Sequence, residues 1–215
     1  MSKHIKVPAA AQGSLHRVEN EKDACGVGMG VNIHGEKSNK ILEDALTSCC
    51  NVVHRGAVDA DMKTGDGAGV TTQIPGKIFI NEVERLGGSV ETADEIGVGV
   101  FYMPTNEAQR IKAKLLAEGV ALNRGCRVFG WREVPTNDRE LGEKARETKP
   151  VLLHFLLGRP EGMEEDDAYE RCLYLIRREI RRRVGGEGIE DLYIASFSHR
   201  TISYKALIVA PVLDK

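Results

Sequence analysis

Apolar positions along this chain recur with two different periods, and the switches between them outline the elements. From 27 to 34, Val27, Met29, Val31 and Ile33 alternate with small or polar residues, a period of two that predicts a first strand. After a turn at 35–38 the spacing lengthens. Ile41, Leu42, Ala45, Leu46, Cys49 and Val53 recur at three- and four-residue steps, predicting a helix over 39–53 with Ser38 or Asn39 as its N-cap. A polar, glycine-rich loop at 59–69 leads to a second strand at 70–74, expected to pair with the first. Pro75 then opens a helix through Phe79, Val83 and Leu86 to Gly87-Gly88. From 96 the pattern repeats as a smaller α/β unit, 96–188. It comprises a strand at 96–103, an amphipathic helix at 106–118 ended by Gly119, a strand at 127–134 carrying Trp131, and a short helix at 138–147. The strongly apolar strand at 150–157 is of the kind buried on both faces. The longest helix, 164–184, places Ala168, Cys172, Ile176, Ile180 and Val184 at four-residue steps. Strands at 192–198 and 201–209, joined by a short turn at His199-Arg200, close the pattern as a hairpin. Two strands with nothing after them to cover their edges predict that the natural polypeptide continues past Lys215.

Composition narrows the classes. The chain has 215 residues, 41% hydrophobic and 29% charged, enough for a normal core under a well-solvated surface. A net charge of −2 offers no bulk attraction for nucleic acid or an anionic membrane. No apolar run approaches the ~18–20 residues of a membrane span, and no secretory signal opens the chain. The basic stretch Arg177-Arg178-Glu179-Ile180-Arg181-Arg182-Arg183 has no interleaved aromatics and reads as a solvated helix end matched to the dipole. Five cysteines, Cys25, Cys49, Cys50, Cys126 and Cys172, are odd in number and show no CxxC spacing. They argue against a disulfide framework or a Cys-only metal site, and for a reducing, cytoplasmic setting.

The candidate chemistry starts at Cys25. The first 24 residues are polar and mixed, and read as an arm or leader rather than a core element. Cys25 then heads the glycine-spaced run Cys25-Gly26-Val27-Gly28-Met29-Gly30. If the leader were removed, Cys25 would carry a thiol and an α-amine of pKa near ~8 able to act as its base, with no separate histidine needed. The competing reading is a buried strand cysteine. The loop Thr64-Gly65-Asp66-Gly67-Ala68-Gly69 is by itself ambiguous: a turn, a phosphate cradle or a metal loop. It lacks the Lys-Ser/Thr of a P-loop and the further acids of an EF-hand.

Four blocks taken together are more specific. Glu21-Lys22-Asp23-Ala24-Cys25-Gly26-Val27-Gly28, Asn51-Val52-Val53-His54-Arg55-Gly56-Ala57, Lys63-Thr64-Gly65-Asp66-Gly67-Ala68-Gly69 and Gln73-Ile74-Pro75 resemble the start of the glutamate synthase large subunit. The late stretch Ser196-Phe197-Ser198-His199-Arg200-Thr201-Ile202-Ser203-Tyr204-Lys205 is similar to that family's strand pair, so the resemblance spans roughly 20–213. It implies an α+β fold, a four-layer αββα sandwich of the N-terminal-nucleophile hydrolases. It implies a leader at 1–24 and a class II glutamine amidotransferase domain at 25–215, including the α/β insertion at 96–188. It implies scission of the Ala24–Cys25 bond, Cys25 as nucleophile, Arg55 orienting the Cys25 pocket, and the Gly65, Asp66, Gly67 turn letting backbone approach it. The implied substrate is L-glutamine. Ammonia would pass to 2-oxoglutarate on the remaining synthase domains. FMN and an iron–sulfur cluster are implied for the full-length enzyme, none in this segment, with ferredoxin or an NADPH-oxidising small subunit as electron donor.

The family also carries an Arg-Phe-Ser-Thr stretch that clamps the substrate carboxylate and a His-Asn-Gly-Glu stretch that supplies the oxyanion hole. This sequence has neither: Asn39, Asn51, Asn81 and Asn106 are not followed by Gly. The loss of one oxyanion donor costs about 10²–10³ in rate, so these residues alone are expected to be a poor glutaminase. Two other readings stand beside the enzymatic one: an inactive fragment or regulatory or binding module that kept the fold without the site, and an α/β domain whose GDGAG loop holds an anion.

Overall fold

A computed structural model describes residues 25–213. Its centre is the strand β2 (Ile96–Met103) in a four-stranded antiparallel sheet of order β3 (Arg127–Glu133), β4 (Val151–Gly158), β2, β5 (Tyr193–Ser198). The two inner strands, IGVGVFYM and VLLHFLLG, have apolar side chains for both faces, which is why they occupy the middle. On one face Phe101, Met103, Leu153, Phe155 and Leu157 pack under α3 (Glu107–Leu122) and α5 (Asp166–Gly186). Trp131 stacks on Phe155 at 4.3 Å and meets Phe101 edge-on at 5.2 Å. On the other face Val98, Val100 and Leu156 meet Phe79 and Val83 of α2 (Gly76–Arg85) and Ile202 of a second sheet. That sheet has two antiparallel strands, β1 (Ala68–Gln73) and β6 (Thr201–Ala206), with Ala68 opposite Ala206. The fold is thus mixed α+β with two antiparallel sheets. The remaining helices are α1 (Asn39–Asn51), none of whose residues is fully buried, and the five-residue α4 (Glu143–Glu147).

The structure corrects several expectations. Residues 25–32 form no strand, and Val27, Met29, Val31 and Ile33 are 76–90% exposed. Alternation alone does not make a strand; its N–H and C=O groups need a paired neighbour, and none of the described residues provides one. The strand expected at 70–74 therefore pairs with β6, not with 27–34. Helix α3 runs through Gly119 to Leu122 and closes at Gly125, φ +77°. The helical penalty of about 1 kcal/mol for Gly119 is outweighed by burying Val120 and Ala121. Residues 138–147 split into a 3-10 turn, Asp138–Glu140, and α4. Pro75 is the N-cap of α2 rather than its first residue, and Ser38 caps α1 by position without a side-chain bond.

The last two strands are not a paired hairpin. β5 pairs with β2, and β6 leaves for the other sheet. The corner is built by Ser198, whose hydroxyl oxygen accepts from the amides of Arg200 (2.9 Å) and Thr201 (3.1 Å). The amide of His199 donates to Glu170 at 3.2 Å, and Arg200 pairs with Asp167 at 2.6 Å, both acids on the first turns of α5. The proposed leader, residues 1–24, lies outside the described residues.

Candidate functional site

The segment after α1 ends in a 3-10 turn, Val53–Arg55, and the chain then makes a closed loop from Ala57 to Asp66. Val58 and Gly65 form an isolated antiparallel bridge. Asp59 donates its amide to the Thr64 carbonyl at 2.9 Å. The Asp66 carboxylate accepts from the Ala57 amide at 2.9 Å, and the Asp66 amide donates back to the Ala57 carbonyl at 3.3 Å. These reciprocal bonds hold the end of the Arg55 turn beside the Gly65, Asp66, Gly67 corner. Both glycines have physical reasons. A Cβ on Gly65 would stand 3.2 Å from the Ala57 and Ile208 carbonyl oxygens, and Gly67 has φ +127°.

A second acid, Asp61, clasps the loop from the outside. Its carboxylate accepts from the Thr64 hydroxyl (2.6 Å), the Thr64 amide (2.7 Å) and the Lys63 amide (2.9 Å). It also takes a bond from the Glu143 amide at the start of α4. The Thr64 hydroxyl and amide chiefly, then the Lys63 amide, hold the Asp61 carboxyl down to about 2. Lys144 of α4 completes the clasp at 2.5 Å from Asp59. Asp61→Ala is expected to raise amide hydrogen exchange at Lys63 and Thr64 roughly tenfold, the worth of a lost charge-assisted bond, with β2 still protected. Unchanged protection at those two amides would refute the clasp.

The loop borders a cleft of about 1040 Å³. Asp66, Gly67, Tyr102, Tyr193, Asp138 and Lys149 are among the residues that line it. Cys25 and Gly65 are not among its lining residues. Tyr102 fixes the cleft to the sheets: its hydroxyl donates to the Lys205 carbonyl and accepts from the Lys205 amide at 3.0 Å. Burial is the main cause that raises the Tyr102 hydroxyl above the usual phenol range, which suits a structural donor.

Cys25 is exposed, at the start of the 25–32 segment. That segment passes close to α1: a Cβ on Gly28 would overlap the Ser48 hydroxyl, and one on Gly30 would touch Ile41 at 3.8 Å. The chain carrying Cys25 therefore runs along the helix that delivers Arg55. Ala57, two residues past Arg55, is bonded to Asp66, and Val58 bridges Gly65, while Cys25 lies on the neighbouring 25–32 segment, which forms no strand.

Sequence reasoning missed the clasp of Asp59, Asp61, Thr64 and Lys144. The run Asp59-Ala60-Asp61-Met62-Lys63-Thr64 does carry a signal, since Asp followed by a turn favours side-chain bonds to amides two or three residues on. It also missed His154, which sits 1% exposed between the sheets. Arg132 donates to His154 Nδ1 at 3.3 Å, and His154 Nε2 bonds the Tyr204 hydroxyl of β6 at 2.8 Å. Among the described residues no group of three or more His, Cys, Asp or Glu is placed to hold a metal, and no helix is long and apolar enough to cross a membrane.

Comparison with known proteins matches this arrangement to a family. The family model of the class-II glutamine amidotransferases covers residues 25–215. The chain is 37% identical over 206 residues to the glutamate synthase [NADPH] large chain of Azospirillum brasilense, covering 95% of this chain and 14% of that protein. It is 36% identical over 195 residues to ferredoxin-dependent glutamate synthase 2 of Synechocystis, covering 91% of this chain and 12% of the relative. Over 205 residues it is 36% identical to the glutamate synthase [NADH] of Schizosaccharomyces pombe, covering 93% and 10% respectively. The chain thus spans a small N-to-C fraction of the curated relatives it matches, and over that fraction it belongs to the class-II glutamine amidotransferases.

Proposed function

We propose that this chain is the glutamine amidotransferase part of a glutamate synthase, with Cys25 as its nucleophile after removal of residues 1–24. One observation carries the reading: the family match begins on Cys25 itself, the residue that heads the glycine-spaced run. In the finer architecture of this proposal the two sheets form the inner layers of a four-layer αββα sandwich, with 96–188 an insertion that supplies three of the four strands of the larger sheet.

The chemistry is acyl transfer. The Cys25 α-amine accepts the thiol proton, and the sulfur attacks the side-chain amide carbon of L-glutamine. The amine then gives that proton to the departing nitrogen, and ammonia leaves a γ-glutamyl thioester. Water attacks the thioester, releases glutamate and restores the thiol. Arg55 orients and charges the pocket, and the Gly65, Asp66, Gly67 corner lets backbone approach the substrate. The ammonia goes to 2-oxoglutarate on the remaining domains of the full-length protein, where FMN and an iron–sulfur cluster reside. Ferredoxin or an NADPH-oxidising small subunit supplies the electrons, and the setting is cytoplasmic.

The amine exists only if the Ala24–Cys25 bond is cut, so the mass of the protein from its native host tests the reading. The expected N-terminal peptide begins at Cys25. A mature protein that retains residues 1–24 would overturn the proposal, since its Cys25 nitrogen would be an amide with no basicity to offer.

A further inference from the structure

The outer surface of the helix pair α3 and α5 carries side chains that neither the core nor the proposed chemistry uses. A helix lying on a sheet needs one apolar face, and α3 has it: Ala113, Ala117, Val120 and Ala121 are buried. Yet Ile111, Leu115 and Leu122 are 52%, 63% and 59% exposed. At about 100° per residue these three fall within about 40° of one another, on the side of the helix opposite the buried four. Helix α3 is thus apolar on two faces, and the described residues cover only one.

Helix α5 packs beside it. Arg124, just past α3, pairs with Glu179 at 3.1 Å, and Lys112 of α3 pairs with Glu187, the C-cap of α5, at 2.8 Å. On its exposed side α5 presents Arg171, Arg178, Arg181 and Arg182, with Tyr174 and Leu175 among them at 54% and 45% exposure. The charge of this row is uncompensated. The four acids of α5 are already engaged: Asp166 by Arg159, Asp167 by Arg200, Glu170 by the His199 amide, and Glu179 by Arg124 and Arg183. The guanidinium groups of Arg171, Arg178, Arg181 and Arg182 make no ion pair or hydrogen bond with a described residue. The helix dipole favours cations only in the last turn, which holds Arg183 and neither Arg171 nor Arg178.

We propose that this surface docks an acidic amphipathic helix of a second protein, its apolar side on Ile111, Leu115 and Leu122 and its carboxylates on the α5 arginines. Charge complementarity selects the partner. Unpaired guanidinium forks take carboxylates in bidentate fashion, and Tyr and Arg are the residue types that anchor interfaces. Packed helices lie about 8–10 Å apart, so an apolar row on one and a cationic row on the next match the two faces of such a helix. A second copy of this chain fits poorly. A two-fold contact presents the same patch from both sides and sets unpaired arginines against arginines. The surface lies within 96–188 and contains no residue of the proposed site, so the inference stands independently of the amidotransferase chemistry.

The test places a photo-reactive side chain in the apolar stripe of the full-length protein, as Leu115→benzoylphenylalanine, in its native host, and sequences the cross-linked peptide by mass spectrometry. The expected product joins α3 to a segment of another protein in which Asp and Glu flank Leu, Ile or Val at three- and four-residue spacing. Reversing the row with Arg178→Glu and Arg182→Glu is expected to cut the cross-link yield at least roughly tenfold, since like charges replace complementary ones. Arg178→Lys with Arg182→Lys is expected to keep most of it. These positions are exposed, so the melting temperature of every variant is expected to stay within about 2 °C of the wild type. A cross-link that survives charge reversal, or that leads to a segment without acids, would overturn the proposal. So would a cross-link only to lipid, to nucleic acid, to a second copy or to another part of the same polypeptide, and so would the absence of any cross-link.

Discussion

Full-length protein carrying Cys25→Ala is expected to release ammonia from glutamine at least about 10⁴-fold more slowly than the wild type, the scale on which covalent catalysis fails when its nucleophile is removed. Glutamate formation from 2-oxoglutarate and added ammonium salt is expected to continue, because ammonia then arrives as a reagent and no thioester is needed. The contrast between the two assays is what makes the result specific. Cys25 is exposed, so the substitution removes no core contact, and the unfolding midpoint should move little. A variant that loses both activities together would point to a structural effect. One that keeps glutamine hydrolysis would sink the nucleophile assignment. Arg55 and the Asp66 corner would then need another role, and the anion-holding alternative for the glycine loop would regain weight.

The second large effect is expected in acid. His154 stands opposite Arg132 of β3 and Val100 of β2, with Phe79 edge-on at 5.2 Å and Tyr204 of the other sheet at 2.8 Å. Arg132 can only donate, so His154 Nδ1 accepts and Nε2 carries the hydrogen toward Tyr204. The ring is therefore neutral. Burial, then the Arg132 charge, lower its pKa to about 4; Glu82, 3.3 Å from Arg132, pulls weakly the other way. The unfolded chain takes up this proton near pH ~6.5. The stability His154 contributes is thus complete above about 6.5 and is lost as pH falls toward 4. Between pH 7 and 4.5 the loss should reach about 2–3 kcal/mol. His154→Gln keeps an acceptor for Arg132 and a donor for Tyr204 but does not titrate. Urea unfolding at the two pH values should show a smaller acid loss in the variant, and parallel losses in both proteins would remove His154 as the cause.

His154 also marks where sequence reading stopped. Its neighbours in sequence, Leu153 and Phe155, announce a buried strand, but nothing in Val151–Gly158 says that one position will face Arg132 and Tyr204. Those partners lie 22 and 50 residues away and meet only when β3, β4 and β6 are assembled. The same holds for Lys144, which reaches Asp59 from 85 residues on.

What the sequence determined by itself was local or repetitive. The periods of two and of three to four residues located β1 through β6 and all the longer helices, because burial of alternate or every-third-and-fourth side chains leaves its mark on each segment separately. The four motif blocks carried the family, which the match over residues 25–215 then established. Tertiary structure alone decided how strands choose partners. The alternation at 27–34 looked as good as that at 70–74, yet only the latter found a neighbour, and the two final strands parted to different sheets at the Ser198 corner. A strand's sequence encodes which face is apolar, but its hydrogen-bonding edges are the same backbone everywhere. Pairing is therefore set by which apolar faces must be covered together, and that is a property of the whole fold.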